Sequence, residues 1–176
     1  MNKRALLILF GLLLLPAITS AHGPSRQKVV KEIEIKASAE KVWGLISDFC
    51  AIKTWLPPVT ECESDGTNNP EIIRTLTLEN GEILKEKLLK HDPQKMMYQY
   101  MIDEANVKAV PVSSYGSSIT VKASENGTTI VTWKSGFYRG YMNNNPPPEL
   151  NDEAAVNAIS AIYDVGLANI KKLAEQ

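Results

Sequence analysis

Arg74 and Glu86 are the two side chains whose types and placement most invite chemistry. In Leu84-Lys85-Glu86-Lys87-Leu88 the two-residue alternation of a strand puts Glu86 on the face of Leu84 and Leu88, so its carboxylate points among apolar groups. A buried carboxylate needs a partner, and Arg74, between Ile72 and Leu76 on the preceding strand, is the natural one. The pair reads either as an ion pair of the core or rim with no chemistry, or as the polar anchor of a ligand. Trp55, Tyr98, Tyr100, Tyr115, Trp133 and Phe137 are spread over separate elements, and Tyr163 falls on the apolar stripe of the last helix. Part of this set is ordinary core. Tyr and Trp nevertheless join a large apolar body to a polar tip, which is how a mostly apolar cavity orients what it holds.

The rest of the chemical inventory is thin, and no catalytic, metal or cofactor residues are expected. The chain has two histidines, His22 and His91, too few and too poorly placed for a Ser/His/Asp triad. It has no CxxC, no HExxH, no glycine-rich phosphate loop and no cluster with zinc-ligand spacing. A copper brace from an N-terminal His22 would need His91 as its second ligand and a rigid approach that Gly23-Pro24 does not supply. Cys50 and Cys62 could close a short disulfide loop or lie apart as buried thiols beside Phe49, Ile52 and Val59. Asn126-Gly127-Thr128 matches a glycosylation sequon, but a hairpin turn explains the same residues.

The elements that must position these side chains begin after a leader. Lys3 and Arg4 precede a run of about fourteen almost wholly apolar residues, Ala5 to Ile18, and Thr19-Ser20-Ala21 supplies small residues for a signal peptidase. The run is shorter than the roughly 20 residues that span a bilayer, so residues 1–21 read as a secretory signal cleaved near Ala21 and not as a stable membrane anchor. Loss of Lys3 and Arg4 moves the formal charge from −1 to −3, which gives no reason to seek nucleic acid or anionic lipid. Residues 22–176 are one domain's length. An exported, periplasmic setting also permits the cysteines to pair.

Val29, Lys31, Ile33 and Ile35 alternate with Val30, Glu32, Glu34 and Lys36, as in a strand with one wet face. Ser38 caps a helix whose Val42, Leu45, Ile46 and Phe49 form the buried stripe; Pro57 and Pro58 stop any continuation and leave Trp55 at the edge of the sheet. Strands follow at about 59–64, 71–79, 82–91, 95–103, 114–124 and 128–138, with turns at Asp65-Gly66, Asn80-Gly81, Asp92-Pro93 and Asn126-Gly127. Asn80-Gly81 and Asn126-Gly127 are read as type I′ hairpins, with positive φ at both residues. After a stiff connector, Asn143 to Pro148, Asn151 starts a final helix with the stripe Ile159, Ile162, Tyr163, Gly166, Ile170 and Leu173. Gly166 there serves close approach to the sheet or room for a ligand. A helix before and a helix after an antiparallel meander can enclose a cavity.

The helix from Ala39 to Phe49 with Trp55-Leu56-Pro57, the Arg74-Thr75-Leu76-Thr77-Leu78 strand with Asn80-Gly81, Glu86-Lys87-Leu88, Pro111-Val112-Ser113-Ser114-Tyr115 and Trp133-Lys134-Ser135-Gly136-Phe137 come in an order that resembles the START-like (SRPBCC) polyketide cyclase/dehydrase superfamily. Within it the chain is most similar to the MxaD-type periplasmic proteins. The resemblance implies an α+β helix-grip fold, a curved antiparallel sheet of about seven strands around a long C-terminal helix. It also implies a non-catalytic accessory role in methanol oxidation, in contact with methanol dehydrogenase or its cytochrome c. Two further functions remain open: a carrier of a small hydrophobic ligand, and a cyclase-like enzyme using Glu86 or a tyrosine. Fold alone does not choose among them.

Overall fold

The computed structural model describes residues 23–176. The leader, its cleavage site and any copper site at His22 lie outside the described residues. Seven antiparallel strands, β1 (Gln27–Ile35), β2 (Val59–Glu63), β3 (Ile73–Leu78), β4 (Ile83–Asp92), β5 (Met97–Glu104), β6 (Val112–Ala123) and β7 (Thr129–Arg139), form one sheet in the order β1-β7-β6-β5-β4-β3-β2. The meander runs from β2 to β7, and β1 closes beside β7. Bulges between Lys85 and Glu86, between Leu88 and Lys90, and in the Ser113–Gly116 stretch, where Ser114 takes φ 47°, bend the sheet.

The helices are α1 (Ala39–Ile46), α2 (Ile52–Trp55) and α3 (Asp152–Ala174). Ser38 caps α1 as expected, accepting from the Lys41 amide. The helix does not reach Phe49, because Asp48 turns extended and its carboxylate caps a 3-10 turn over Phe49–Ala51, which α2 continues. Asn151 caps α3 by accepting from the Ala154 amide at 2.8 Å. Asp152 and Glu153 in its first turn and Lys171 and Lys172 in its last suit the helix dipole. The buried stripe of α3 is Ala155, Ile159, Tyr163, Gly166, Leu167, Ile170 and Ala174, with Ile162 and Leu173 on its flank. This stripe lies against β1 and β7, where Lys31 pairs with Asp164 and Lys171 donates to the Glu34 carbonyl.

The two Asn-Gly hairpins differ from expectation. Only Gly81 (φ 80°) and Gly127 (φ 73°) take positive φ, while Asn80 and Asn126 do not. Gly81 N donates to Leu78 O and Leu78 N to Glu82 O, and residues 124–128 repeat the pattern. Each loop is therefore a three-residue turn ending in a left-handed glycine, and the extra residue Glu79 or Glu125 makes the two-residue type I′ turn impossible. Trp55 is also misplaced by the sequence reading: it is buried in the core, edge-on to Trp133 with ring centroids 5.4 Å apart, and not at the edge of the sheet. The short turns after Asp48 carry it inward.

Cys50 and Cys62 form a disulfide with Cα atoms 5.7 Å apart, so the alternative of two separate thiols does not hold. The bridge fastens the segment carrying α2 to β2. No helix of the described residues is long and apolar enough to cross a membrane.

Candidate functional site

Because α3 covers β1 and β7, the concave face of β3, β4 and β5 needs another cover. The disulfide-anchored segment supplies it with Ile52, Leu56, Pro58 and Val59, and the loop before β6 adds Ala109 and Val110. Between these covers and the sheet lies a cavity of about 270 Å³ whose sheet wall is Leu76, Leu84, Glu86, Tyr100, Ile102, Tyr115 and Trp133. Ile159 and Ile162 of α3 complete the wall, and the exposed Glu79 and Asn80 of the β3–β4 turn stand at the rim.

Arg74 sits directly opposite Glu86 in the β3–β4 register, as the strand reading required. Arg74 is 0% exposed and Glu86 5% exposed. Arg74 Nε donates to Glu86 Oε2 at 2.8 Å, and Nη2 lies 2.6 Å from the same oxygen without the alignment of a hydrogen bond. Nη1 donates to the Phe49 carbonyl. The guanidinium carbon lies 3.8 Å from the Phe49 ring centre and 5.2 Å from that of Tyr100. Burial disfavours the guanidinium charge, but Glu86 more than offsets it, so the pKa of Arg74 is raised and the group stays charged. All the strong contacts of Arg74 to Glu86 fall on Oε2. Oε1 takes no hydrogen bond from the described residues and is the carboxylate oxygen left for the cavity that Glu86 lines.

Beside this pair lies a cluster of neutral hydrogen-bonding groups. Trp133 Nε1 donates to Ser117 Oγ at 3.0 Å and to the Tyr100 hydroxyl at 3.1 Å. The Tyr163 hydroxyl lies 2.7 Å from that of Tyr115 and 2.9 Å from Ser117 Oγ, and Tyr100 and Tyr115 are 3.4 Å apart. Burial raises the pKa of Tyr98, Tyr100 and Tyr115 far above the ordinary value and pushes Tyr163 up to about 12. These phenols are therefore neutral donors and acceptors at any ordinary pH. Trp133 stacks on Tyr163 at 4.1 Å, and a Cβ on Gly166 would come within 2.8 Å of Trp133 Cζ3, so Gly166 serves close packing on this face.

Of the residues expected to surround a ligand, Glu86, Tyr100, Tyr115 and Trp133 line the cavity. Arg74, Tyr98, Trp55, Phe137 and Tyr163 stand one layer behind it, supporting those four through the pairs and stacks above, through Tyr98 against Tyr100 at 6.0 Å and through Tyr115 on Phe137 at 6.1 Å. Sequence reasoning missed Ser117, whose only signal was its place two residues from both Tyr115 and Ile119. It also missed Leu56, Pro58, Ala109 and Val110, which lie in irregular segments that carry no periodicity. His91 is remote from the cavity lining, with Nε2 2.8 Å from the Ser47 carbonyl and its ring against Trp43. Among the described residues no three His, Cys, Asp or Glu side chains converge as a metal site.

Residues 26–175 match the family described as polyketide cyclase / dehydrase and lipid transport. Among solved structures, the chain is similar to XoxI of Bacillus cereus, with 29% identity over 84% of this chain and 94% of that one and a TM-score of 0.70. An uncharacterized protein of Bacillus thuringiensis is 30% identical over 84% of this chain and 98% of that one, with a TM-score of 0.69. Norcoclaurine synthase of Thalictrum flavum, in complex with a transition-state analogue, shares the fold at 19% identity over 86% and 95% of the two chains, with a TM-score of 0.63. No curated protein matches the chain.

Proposed function

For a chain that thus belongs to the polyketide cyclase / dehydrase and lipid transport family, we propose that it binds a small, largely apolar molecule in the cavity, as a carrier or receptor and not as an enzyme. The observation that carries this reading is the apolar cavity of about 270 Å³, with its few polar groups gathered around Glu86, Tyr100, Tyr115 and Trp133. Ligand sites have this composition: apolar walls for affinity and a few fixed polar atoms for orientation. At roughly 30 Å³ for a water-sized group, the space admits about nine such groups, so the ligand is a compact ring or a short chain.

A non-catalytic role suits the ionisable groups. The Glu86 carboxylate is engaged by Arg74, and the tyrosines hold their protons. We place the protein in the periplasm; the leader pattern and the Cys50–Cys62 disulfide support that setting. Assistance to methanol dehydrogenase or its cytochrome c remains a separate proposal carried by the MxaD-type resemblance. It fails if a deletion strain reduces cytochrome c with methanol at an unchanged rate.

The cavity reading is tested by native mass spectrometry of the mature protein released gently from its own cells. A discrete added mass that disappears in Leu84→Trp, a change that fills the cavity from the β4 wall, is the expected result. A bare protein that also takes up no apolar compound in titration overturns it.

A further inference from the structure

Resting on that reading, we propose that the cavity selects a neutral ligand carrying one hydrogen-bond donor, an alcohol or a phenol, over amines and carboxylates of the same shape. Glu86 and Arg74 form a closed pair in which one carboxylate meets one guanidinium, both buried. The wall of the cavity at Glu86 therefore carries an acceptor, Oε1, but no net charge. The other groups that face it, Tyr100, Tyr115 and Trp133, are neutral, and the remaining ionisable residue of the lining, Glu79, lies exposed at the rim where water screens it. Arg74 is not part of the lining: its Nε and Nη1 donate to Glu86 Oε2 and the Phe49 carbonyl, and its Nη2 lies against the same Oε2.

Each class of ligand meets a different fate here. An ammonium group finds an oxygen acceptor but brings a positive charge that nothing neutralises, since Glu86 is already matched. A carboxylate meets Glu86 Oε1 directly and is repelled. Both can enter neutral by losing or gaining a proton, but their pKa values lie about three units from pH 7, a penalty of about a thousandfold. A buried unpaired charge costs about a hundredfold or more in an equilibrium constant. A hydroxyl satisfies Oε1 without any charge, and a hydrocarbon of the same size leaves that oxygen unpaired.

The test is a matched set titrated against the full mature chain at pH 7, followed by calorimetry or by tryptophan fluorescence: 2-phenylethanol, 2-phenylethylamine, phenylacetate and propylbenzene. The expected order places 2-phenylethanol about tenfold or more tighter than propylbenzene, and about a hundredfold or more tighter than the amine and the acid. An amine that binds as tightly as the alcohol overturns the inference, because it means that the charge of Glu86 is available or that the charged end stays at the mouth. Equal binding of alcohol and hydrocarbon overturns it while leaving the cavity reading intact. Binding of none of the four overturns both. In Glu86→Gln, Arg74 becomes an unmatched cation, and the preference turns to phenylacetate over 2-phenylethanol; a folded variant that keeps the wild-type order overturns the charge argument. If the variant does not fold, the wild-type series alone decides.

Discussion

Replacing Glu86 by leucine leaves the Arg74 guanidinium, 0% exposed, without its counter-charge. Removal of one partner from a buried ion pair costs about 3–5 kcal/mol, because the remaining charge cannot regain water. For a domain of this size that lowers Tm by about 6–20 °C. Arg74→Met costs a similar amount and also gives up the contact with the Phe49 ring and the bond to its carbonyl. The double variant, Arg74→Met with Glu86→Leu, removes both charges and fills their space with apolar atoms. Its stability returns to within about 2 kcal/mol of wild type, the residue of the loss being the unsatisfied Phe49 carbonyl. Urea unfolding of the four proteins completes the cycle. Single variants that each lose under about 1 kcal/mol, with a double variant equal to their sum, would refute the claim that Glu86 in the cavity wall and Arg74 behind it form a buried, mutually dependent pair.

Opening the disulfide by Cys50→Ser with Cys62→Ser removes the closure of a short loop and costs about 3 kcal/mol by the chain-entropy account; a Tm shift of under about 2 °C in calorimetry would show that the segment over the cavity is held by packing alone. Gly166→Ala gains helix propensity but presses on Trp133 and Leu56, for a net loss of about 1–2 kcal/mol in urea unfolding; an increase in stability would contradict the close packing. Tyr98, Tyr100, Tyr115 and Tyr163 have folded pKa values raised above their unfolded value of about 10. Their contribution is whole below about pH 10 and is lost as pH rises beyond it, by up to about 5 kcal/mol per pH unit while all four hold their protons only in the folded state. The phenolate absorbance of these four of the six tyrosines should therefore appear together with unfolding; a gradual titration of all six in the folded protein would speak against burial.

The sheet was legible because its strands alternate cleanly, and the Arg74–Glu86 pairing because both residues flank one Asn-Gly turn. Even there the turn type was misread: pairing across β3 and β4 depends on how many residues the loop uses, and Glu79 belongs to it. The break after α1 was hidden in Asp48, a residue that can sit in a helix or cap the next turn, and the choice is made by where Phe49 packs. That choice carried Trp55 into the core and Leu56, Pro58 and Val59 over the cavity. No local pattern encodes the distance from Cys50 to Cys62, so the disulfide stayed open until the segment's path was known. The family resemblance covered the fold, which rests on many residues, better than the site, which depends on how α3, the disulfide-bound segment and the loop before β6 leave space over the sheet.

The most direct measurement follows the 13C-labelled methyl groups of the mature protein during titration with 2-phenylethanol. Saturable shifts shared by Leu76, Leu84, Ile102 and Ile159, with Val30 on the outer face unmoved, are the predicted result. Shifts confined to exposed methyls, or none at a saturating concentration, would contradict a ligand cavity at the centre of this protein.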